Sequence, residues 1–388
     1  MKGVVRINII RKFHMKILIF YASYGGGHLS AAKSIKQYLD ENYKNVKTKM
    51  IDCVEYINKG LNTITTFAYK EMAKKAPWAW GEIYDHSQKG AMSHISSGAN
   101  KFMSIKLNKL FEEFKPDIVI STHPFASQMT AYLKEKGKTN CVLASVMTDF
   151  ASHDQWLVGS KYIDHIFVSH EGMKKDIVAK GISASKIHAT GIPLSNRFLE
   201  HFNRKEIKAS FDLDYKKKTI LFFGGGEFGL GKEKTLKILK AFIDNIHDEY
   251  QIIAISGKNE KMQAQFEELV GNNPNVQVYG YTNEVPELMS ISDLVVTKPG
   301  GLTITESLAS GLPIVVINPI PGQEVENAEF LEKKGVAIWI RKTENPGEAV
   351  KELLENPEQI NHMTIRSKLM ANKNSTRDIC KIIMDDKN

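Results

Sequence analysis

Cysteine is scarce in this sequence. Its 388 residues include three, Cys53, Cys141 and Cys380, widely spaced and without a CxxC pair. That excludes a disulfide scaffold and gives no support to a structural zinc site, and it fits a reducing, cytosolic compartment. Long apolar runs are missing as well. None approaches the roughly 18–20 residues that a spanning helix needs. Within residues 1–14, Arg6 interrupts the apolar stretch, so no signal-peptide core is expected there. Those residues read as a dispensable arm to which the sequence assigns no role, with Met15 as an alternative start because a strand follows at once. Neither charge nor apolarity is extreme. At 25% charged and 42% hydrophobic residues the chain reads as globular, and disorder is excluded for most of it. At roughly 150 residues per domain the length predicts two domains or three, each able to bury its own core.

The charge is unevenly spread. Residues 1–197 carry 28 Lys+Arg against 16 Asp+Glu, whereas 198–388 carry 24 against 28. A basic first half points to an acidic partner, and nucleic acid and an anionic membrane surface both stay open at this level, beside a Lys-rich surface that only confers solubility.

Apolar runs set the organisation. Residues 16–22 predict a buried strand, a glycine loop (Gly25, Gly26, Gly27) ends in His28, and a helical pattern runs from Leu29 to Leu39. Strands are predicted again at 117–121, 141–147 and 165–169, and Pro193 closes this half. The pattern then restarts. A strand over 219–223, the glycines Gly224, Gly225 and Gly226 and a helix over 232–246 precede strands at 251–255, 275–279, 293–297, 313–317 and 336–340. The fold class is therefore α/β: two Rossmann-like, doubly wound domains joined near 195–218, with a cleft between the carboxyl ends of their sheets. The expected division is an arm over 1–14, a first domain over 15–197, a second over 198–347 and a C-terminal helical segment over 348–388. Residues 56–115 break the first domain's rhythm with nine Lys, five acids and interleaved aromatics, including Lys74, Lys75, Trp78 and Trp80. Such an insertion suits the headgroup region of an anionic bilayer, and equally a helical insertion packed on the domain.

Four places carry candidate chemistry. His28 lies at a helix start beyond three glycines, where an imidazole can take a proton from an attacking hydroxyl. The loop from Gly224 to Lys232 spells both GxGxxG and GxxxxGK. No acid ends the following strand, and Glu233 stands where a P-loop has Ser or Thr, so what survives is a backbone-rich anion cradle. In Thr297–Glu306, a Pro-Gly-Gly turn through Gly300 and Gly301 opens a helix at Leu302 and Thr303. Its N–H groups suit a diphosphate, and Glu306 sits where it can accept two ribose hydroxyls. Gln323, Glu324 and Asn327 repeat that geometry, as polar side chains able to read sugar hydroxyls.

These motifs, with Thr122-His123-Pro124-Phe125, with Thr148-Asp149-Phe150, His153 and Trp156, and with Gly191-Ile192-Pro193, together resemble the monogalactosyldiacylglycerol synthase and diacylglycerol glucosyltransferase family. Its members are inverting, glycosyltransferase family 28-like enzymes of the two-domain GT-B fold. The resemblance covers about residues 16–345. It implies a second domain that holds a UDP-sugar: uracil near Val285, ribose on Glu306, diphosphate on Gly301, Leu302 and Thr303, and sugar on Gln323, Glu324 and Asn327. It implies a first domain that holds diacylglycerol, with His28 as general base and Asp149 as a second base or an orienting partner. Gly26, Gly27, His123, Pro124, Phe125, His153 and Trp156 would line the acceptor cleft. It favours membrane association of 56–115 and a peripheral place on the inner face of the cell membrane. No cofactor, metal or nucleic acid is expected. Asp212-Leu213-Asp214 has the DxD spelling but reads as a solvated turn. The alternatives are an N-acetylglucosaminyl transferase with a polyprenyl-linked or soluble acceptor, and a UDP-N-acetylglucosamine 2-epimerase.

Overall fold

Apolar, β-branched runs become buried strands wherever helices can cover both faces of a sheet. A computed structural model describes residues 15–23, 26–57, 107–224 and 232–386. In it two such sheets form, each of six strands.

The first comprises β1 (Met15–Tyr21), β2 (Val46–Asp52), β3 (Ile118–Ser121), β4 (Val142–Val146), β5 (His165–Val168) and β6 (Ile187–Ala189). Its order is β2-β1-β3-β4-β5-β6, parallel throughout. The second comprises β7 (Lys218–Phe223), β8 (Tyr250–Ile255), β9 (Val276–Tyr279), β10 (Leu294–Thr297), β11 (Ile314–Val316) and β12 (Ala337–Trp339). Its order is β12-β11-β10-β7-β8-β9, again parallel. In both sheets the chain first builds to one side of its opening strand and then returns to the other. The reversal falls between β1 and β3 in one sheet and between β7 and β10 in the other. These are the positions where doubly wound sheets leave a crevice at their carboxyl ends.

Helices connect the strands. The first domain has α1 (Gly26–Asn42), α2 (Pro124–Glu135) and α3 (Glu171–Ala179), and α4 (Arg204–Ser210) follows it. The second domain has α5 (Lys232–Asn245), α6 (Glu260–Val270), α7 (Val285–Ile291), α8 (Gly301–Ala309), α9 (Gln323–Lys334), α10 (Pro346–Leu354) and α11 (Pro357–Met370), and α12 (Ser375–Asp385) comes last. Each sheet is covered on both faces by apolar clusters.

Three departures from the sequence-based expectations have physical reasons. Helix α1 starts at Gly26, not Leu29, so Gly27 and His28 belong to its first turn. Strands β2 and β6 lie beside β1 and β5, where the apolar runs predict no strand. Strand β2 alternates exposed and covered side chains as an edge strand does. The C-terminal helical segment expected over 348–388 is three helices. Asn356 caps α11 with Pro357 in its first turn, and residues 371–374 separate α11 from α12.

Helix α10 packs on α5 and α11 on α8, within the second domain. Helix α12 lies on α1 of the first, with Ile379, Cys380 and Ile383 fully buried beside Ile17 and Ile19. Helix α4 is tied to the second domain through Arg204, which donates to the carbonyls of Ser290 and Ile291 and to Asp293. Asp212 and Asp214 are exposed in the turn that follows α4, with Asp212 at φ +53°.

Candidate functional site

The crevice of the first sheet is built on His28. Its ring Nδ1 lies 2.5 Å from the Thr122 carbonyl oxygen and 3.1 Å from the Thr148 hydroxyl. A carbonyl can only accept, so Nδ1 carries the proton and Nε2 keeps its lone pair. Burial pushes the His28 pKa down to about 4, the Thr122 carbonyl opposing. The imidazole is therefore neutral at pH 7, with a fixed tautomer. Thr122 and Thr148 follow β3 and β4, so the strands beside β1 hold the ring that β1's own loop delivers. The Thr122 hydroxyl also donates to the His28 carbonyl at 2.8 Å. His123 packs edge-on against His28 with centroids 4.8 Å apart.

Other acceptor-side residues divide between the crevice and the core. His123 is buried and caps α2, its Nδ1 accepting the Phe125 N–H at 3.3 Å. Pro124 opens that helix, and the half-buried Phe125 touches the His123 ring edge-on at 4.8 Å. Gly26 is exposed, and Gly27 faces the Leu302 side chain across the cleft. His153 caps the 3-10 turn Asp154–Leu157, and burial lowers its pKa to about 4. Trp156 is 2% exposed and sits in the core beneath the first sheet, where it presents no surface to an acceptor.

On the opposite side, Thr297 ends β10 and Gly300 takes the N-cap position of α8 with no side-chain cap. The N–H groups of Gly301, Leu302 and Thr303 thus have no acceptor within their helix. Glu306 lies on the next turn, and among the described residues nothing pairs with its carboxylate. Burial pushes its pKa up to about 8. Gly224 follows β7 under the Phe266 ring, which an added Cβ would meet at 2.5 Å; Gly225 and Gly226 lie outside the described residues. Val285 is half-buried at the start of α7. Glu324 accepts the Ile320 N–H at 2.7 Å, and its pKa is raised by burial against the pull of Lys298. Lys298, at the mouth of the α8 turn, is a residue that reading by motif passes over. Burial lowers its pKa and Glu324 opposes that. The signal that could find it is its place directly before Pro-Gly-Gly.

The domains meet where the loop after β4 touches α8 and α9. A Cβ at Gly301 would overlap the Thr148 carbonyl oxygen and lie 3.2 Å from the Asp149 Cα. Gln323 Nε2 donates to the Asp149 carboxylate at 3.4 Å. The Asp149 pKa is raised to about 6 by burial, with Asn327 opposing and Glu324 and Glu326 adding. Asn327, expected at a sugar, is fully buried. Its Oδ1 accepts the Phe150 N–H at 2.9 Å, and its Nδ2 donates to the Pro299 carbonyl at 2.9 Å. Lys74, Lys75, Trp78 and Trp80 lie outside the described residues. Among the described residues no helix is long and apolar enough to cross a membrane.

Among the described residues nothing pairs with His28 Nε2 or with the first N–H groups of α8, so a neutral imidazole faces a helix start that offers N–H donors. One face can take a proton while the other receives an anion.

Comparisons with known proteins agree with this layout. Residues 28–194 match the family model for monogalactosyldiacylglycerol (MGDG) synthase, and 219–382 match the glycosyltransferase family 28 C-terminal domain. A processive diacylglycerol beta-glucosyltransferase of Staphylococcus epidermidis is 32% identical over 382 residues, covering 95% of this chain and 92% of the relative. The Bacillus licheniformis protein of that name is 29% identical, covering 95% and 94%. Among solved structures, MurG of Acinetobacter baumannii superposes with TM-score 0.64 at 13% identity, covering 96% of this chain and 99% of that one. S. aureus MnaA, solved with UDP, gives 0.66 at 14%, covering 96% and 97%. These two show the fold, that of GT-B enzymes. The identity to the Staphylococcus epidermidis relative, sustained along nearly the whole of both chains, shows more: this chain belongs to the processive diacylglycerol beta-glucosyltransferase family of family 28 glycosyltransferases.

Proposed function

We propose that this chain transfers glucose from UDP-glucose to the free hydroxyl of diacylglycerol, inverting the anomeric centre, and then extends the glycolipid by further transfers. One observation carries the chemistry: His28 is neutral, with Nδ1 held by the Thr122 carbonyl and Nε2 unpaired among the described residues, across the cleft from the uncapped start of α8. The names of the relatives supply the substrate classes.

In the proposed reaction the acceptor oxygen attacks the anomeric carbon as the bond from that carbon to the diphosphate oxygen breaks. The hydroxyl proton passes to His28 Nε2, and UDP leaves with the bonding electron pair. The N–H groups of Gly301, Leu302 and Thr303 receive the growing negative charge, aided by Lys298 and by the glycine loop that starts at Gly224. Because these donors are backbone and lysine, no divalent ion is needed to neutralise the leaving group. Glu306 takes the ribose hydroxyls, and the backbone near Val285 takes the uracil. Gln323 and Glu324 face the hexose. Asp149, held by Gln323 and half-ionised near pH 6, orients the acceptor side of the cleft. His123 and Phe125 flank the acceptor. The basic, aromatic stretch 56–115 rests on the anionic inner face of the cell membrane, where the acceptor resides.

The test is sugar transfer from UDP-glucose and UDP-galactose to diacylglycerol in anionic vesicles containing EDTA, comparing the wild type with His28→Ala. Glucolipid from the wild type and none from the variant is the expected result. Transfer to polyprenyl-linked or soluble acceptors alone, or epimerisation of UDP-N-acetylglucosamine, would overturn the proposal.

A further inference from the structure

One residue stands apart in the cleft: Asn327 is invisible from solvent, yet it touches the loop that orients the base. The loop runs Thr148–Phe150. Thr148 contacts His28 through its hydroxyl, and Phe150 is held from both domains. From the second domain, Asn327 Oδ1 accepts the Phe150 N–H at 2.9 Å. From the first, His170 Nε2 donates to the Phe150 carbonyl at 3.0 Å. His170 caps α3 by accepting the Met173 N–H through Nδ1, so its ring is fixed. That ring stacks on Phe330 of α9 at 4.3 Å and 11°, and Phe150 stacks on the same ring at 5.5 Å. Lys334 lies over Phe330 at 5.6 Å. The far end of the Asn327 amide holds the Pro299 carbonyl, in the turn that opens α8.

We infer that Asn327, Phe330 and His170 form a clasp that holds the two domains closed, and that Asn327 is a positioning residue that reaches no sugar hydroxyl. The inference rests on the reading of the cleft as a UDP-hexose transferase. A primary amide has one carbonyl and two N–H groups. Here the carbonyl is spent on Phe150 and one N–H on Pro299, while the amide also supports the Asp149 carboxylate. A second lone pair on the oxygen stays unused, but the side chain is fully buried, so no sugar hydroxyl reaches it while the domains are closed. What the amide does instead is fix the separation between the His28 loop and the anion-binding turn. Opening the cleft breaks the Phe150–Asn327 bond and parts Phe330 from the rings of Phe150 and His170 together. The contacts to Pro299, within the second domain, and from His170 to Met173 and Phe150, within the first, survive. The interdomain members therefore act as one unit, and their removal couples.

The experiment uses Asn327→Ala, Phe330→Ala and the double variant. Phe330 is only half-buried, at the contact between the domains, so its variant keeps the fold even if the Asn327 variant does not. Five quantities are measured: kcat, KM for UDP-glucose, the Kd values of UDP and of UDP-glucose, and the distance between spin labels at Lys161→Cys and Lys351→Cys. Those sites are exposed on separate domains, and the three native thiols are buried. Each single variant should lower kcat about 10- to 100-fold, as loss of a buried hydrogen bond or ring stack at the closure does. The Kd values for UDP and UDP-glucose should shift alike and by no more than a few-fold, because the second domain remains intact. The double variant should be little worse than the poorer single one, and the label distance should lengthen and broaden. A selective loss of UDP-glucose over UDP in Asn327→Ala, at unchanged label distance, would return Asn327 to the sugar and overturn the inference. So would strictly multiplicative losses in the double variant. If the wild type transfers no glucose, the transferase reading fails, while the label distances still decide the clasp.

Discussion

Three glycines at the domain contact give a graded test of the closed cleft. A methyl added at Gly300 would meet no atom within 4 Å, and the φ there is −72°, so Gly300→Ala should be silent. At Gly27 the nearest atoms are those of Leu302, at 3.8 and 3.9 Å, which is ordinary contact. Gly301 differs. A methyl there would overlap the Thr148 carbonyl oxygen, lie 2.9 Å from the Thr148 carbonyl carbon and 3.2 Å from the Asp149 Cα. All three are backbone atoms, so no side chain can turn aside. Carbon atoms pack at about 3.5–4.0 Å, so the loop or the α8 start must retreat by about 1 Å. The loop carries Thr148, whose hydroxyl is 3.1 Å from His28 Nδ1, and the helix start is the proposed anion cradle. Separating them by about 1 Å lengthens the path between base and leaving group, for which a loss near 100-fold in rate is the general expectation. The second domain remains intact, so UDP affinity should change by no more than a few-fold. Initial rates and UDP titrations on Gly27→Ala, Gly300→Ala and Gly301→Ala decide this. A Gly301→Ala enzyme as fast as Gly300→Ala would refute the closed contact as the reactive arrangement.

Three further outcomes follow from single residues. Burial holds the His28 pKa near 4, so the base stays unprotonated far into acid. The acid limb of kcat/KM should fall near pH 4, and a limb at an ordinary histidine value near 6.5 would refute the buried, neutral base. The Glu306 carboxyl is raised by burial to about 8, so the folded state keeps a proton that the unfolded chain releases from about 4.5 upward. Its contribution to stability is present at low pH and is lost as pH rises through 8. Glu306→Gln should therefore raise Tm at pH 8 but not at pH 4 while weakening UDP binding about tenfold, and equal Tm gaps at both pH values would contradict the buried carboxyl. Ile383 is fully buried where α12 docks on the first sheet, so Ile383→Ala should cost about 2–5 kcal/mol in urea unfolding, and a cost below about 1 kcal/mol would mean that the helix does not dock there.

The elements legible in the sequence are those whose signal is local. Strands such as β8 and β11 are largely apolar runs buried on both faces, and their predicted bounds agree within a residue or two. Strand β2 has three polar residues among its first four, because an edge strand covers only part of its surface, and a search for unbroken apolar runs passes over it. The C-terminal helical segment reads as one element in the sequence because only the short breaks at 355–356 and 371–374 divide its three helices.

The candidate site shows the same division between local and distant signals. A glycine loop ending in histidine, and Pro-Gly-Gly before a helix, declare themselves because each is a strand end meeting a helix start. The groups that set the chemistry of His28 do not, for they come from 94 and 120 residues away and one of them is a backbone carbonyl, which any residue type supplies. Asn327 marks the boundary of what residue type can say. An amide at a helix start beside a diphosphate site suits sugar hydroxyls and backbone groups equally well, since both offer the same donors and acceptors. What separates the two uses is whether the backbone of another domain arrives first. Here the Phe150 N–H does, brought by a loop that is held by His170 and stacked on Phe330. The polar motif is readable as a motif because its spacing is local. Its partner is fixed by how two separately folded sheets close on each other, and that is encoded in the apolar and aromatic residues of the contact rather than in the motif itself.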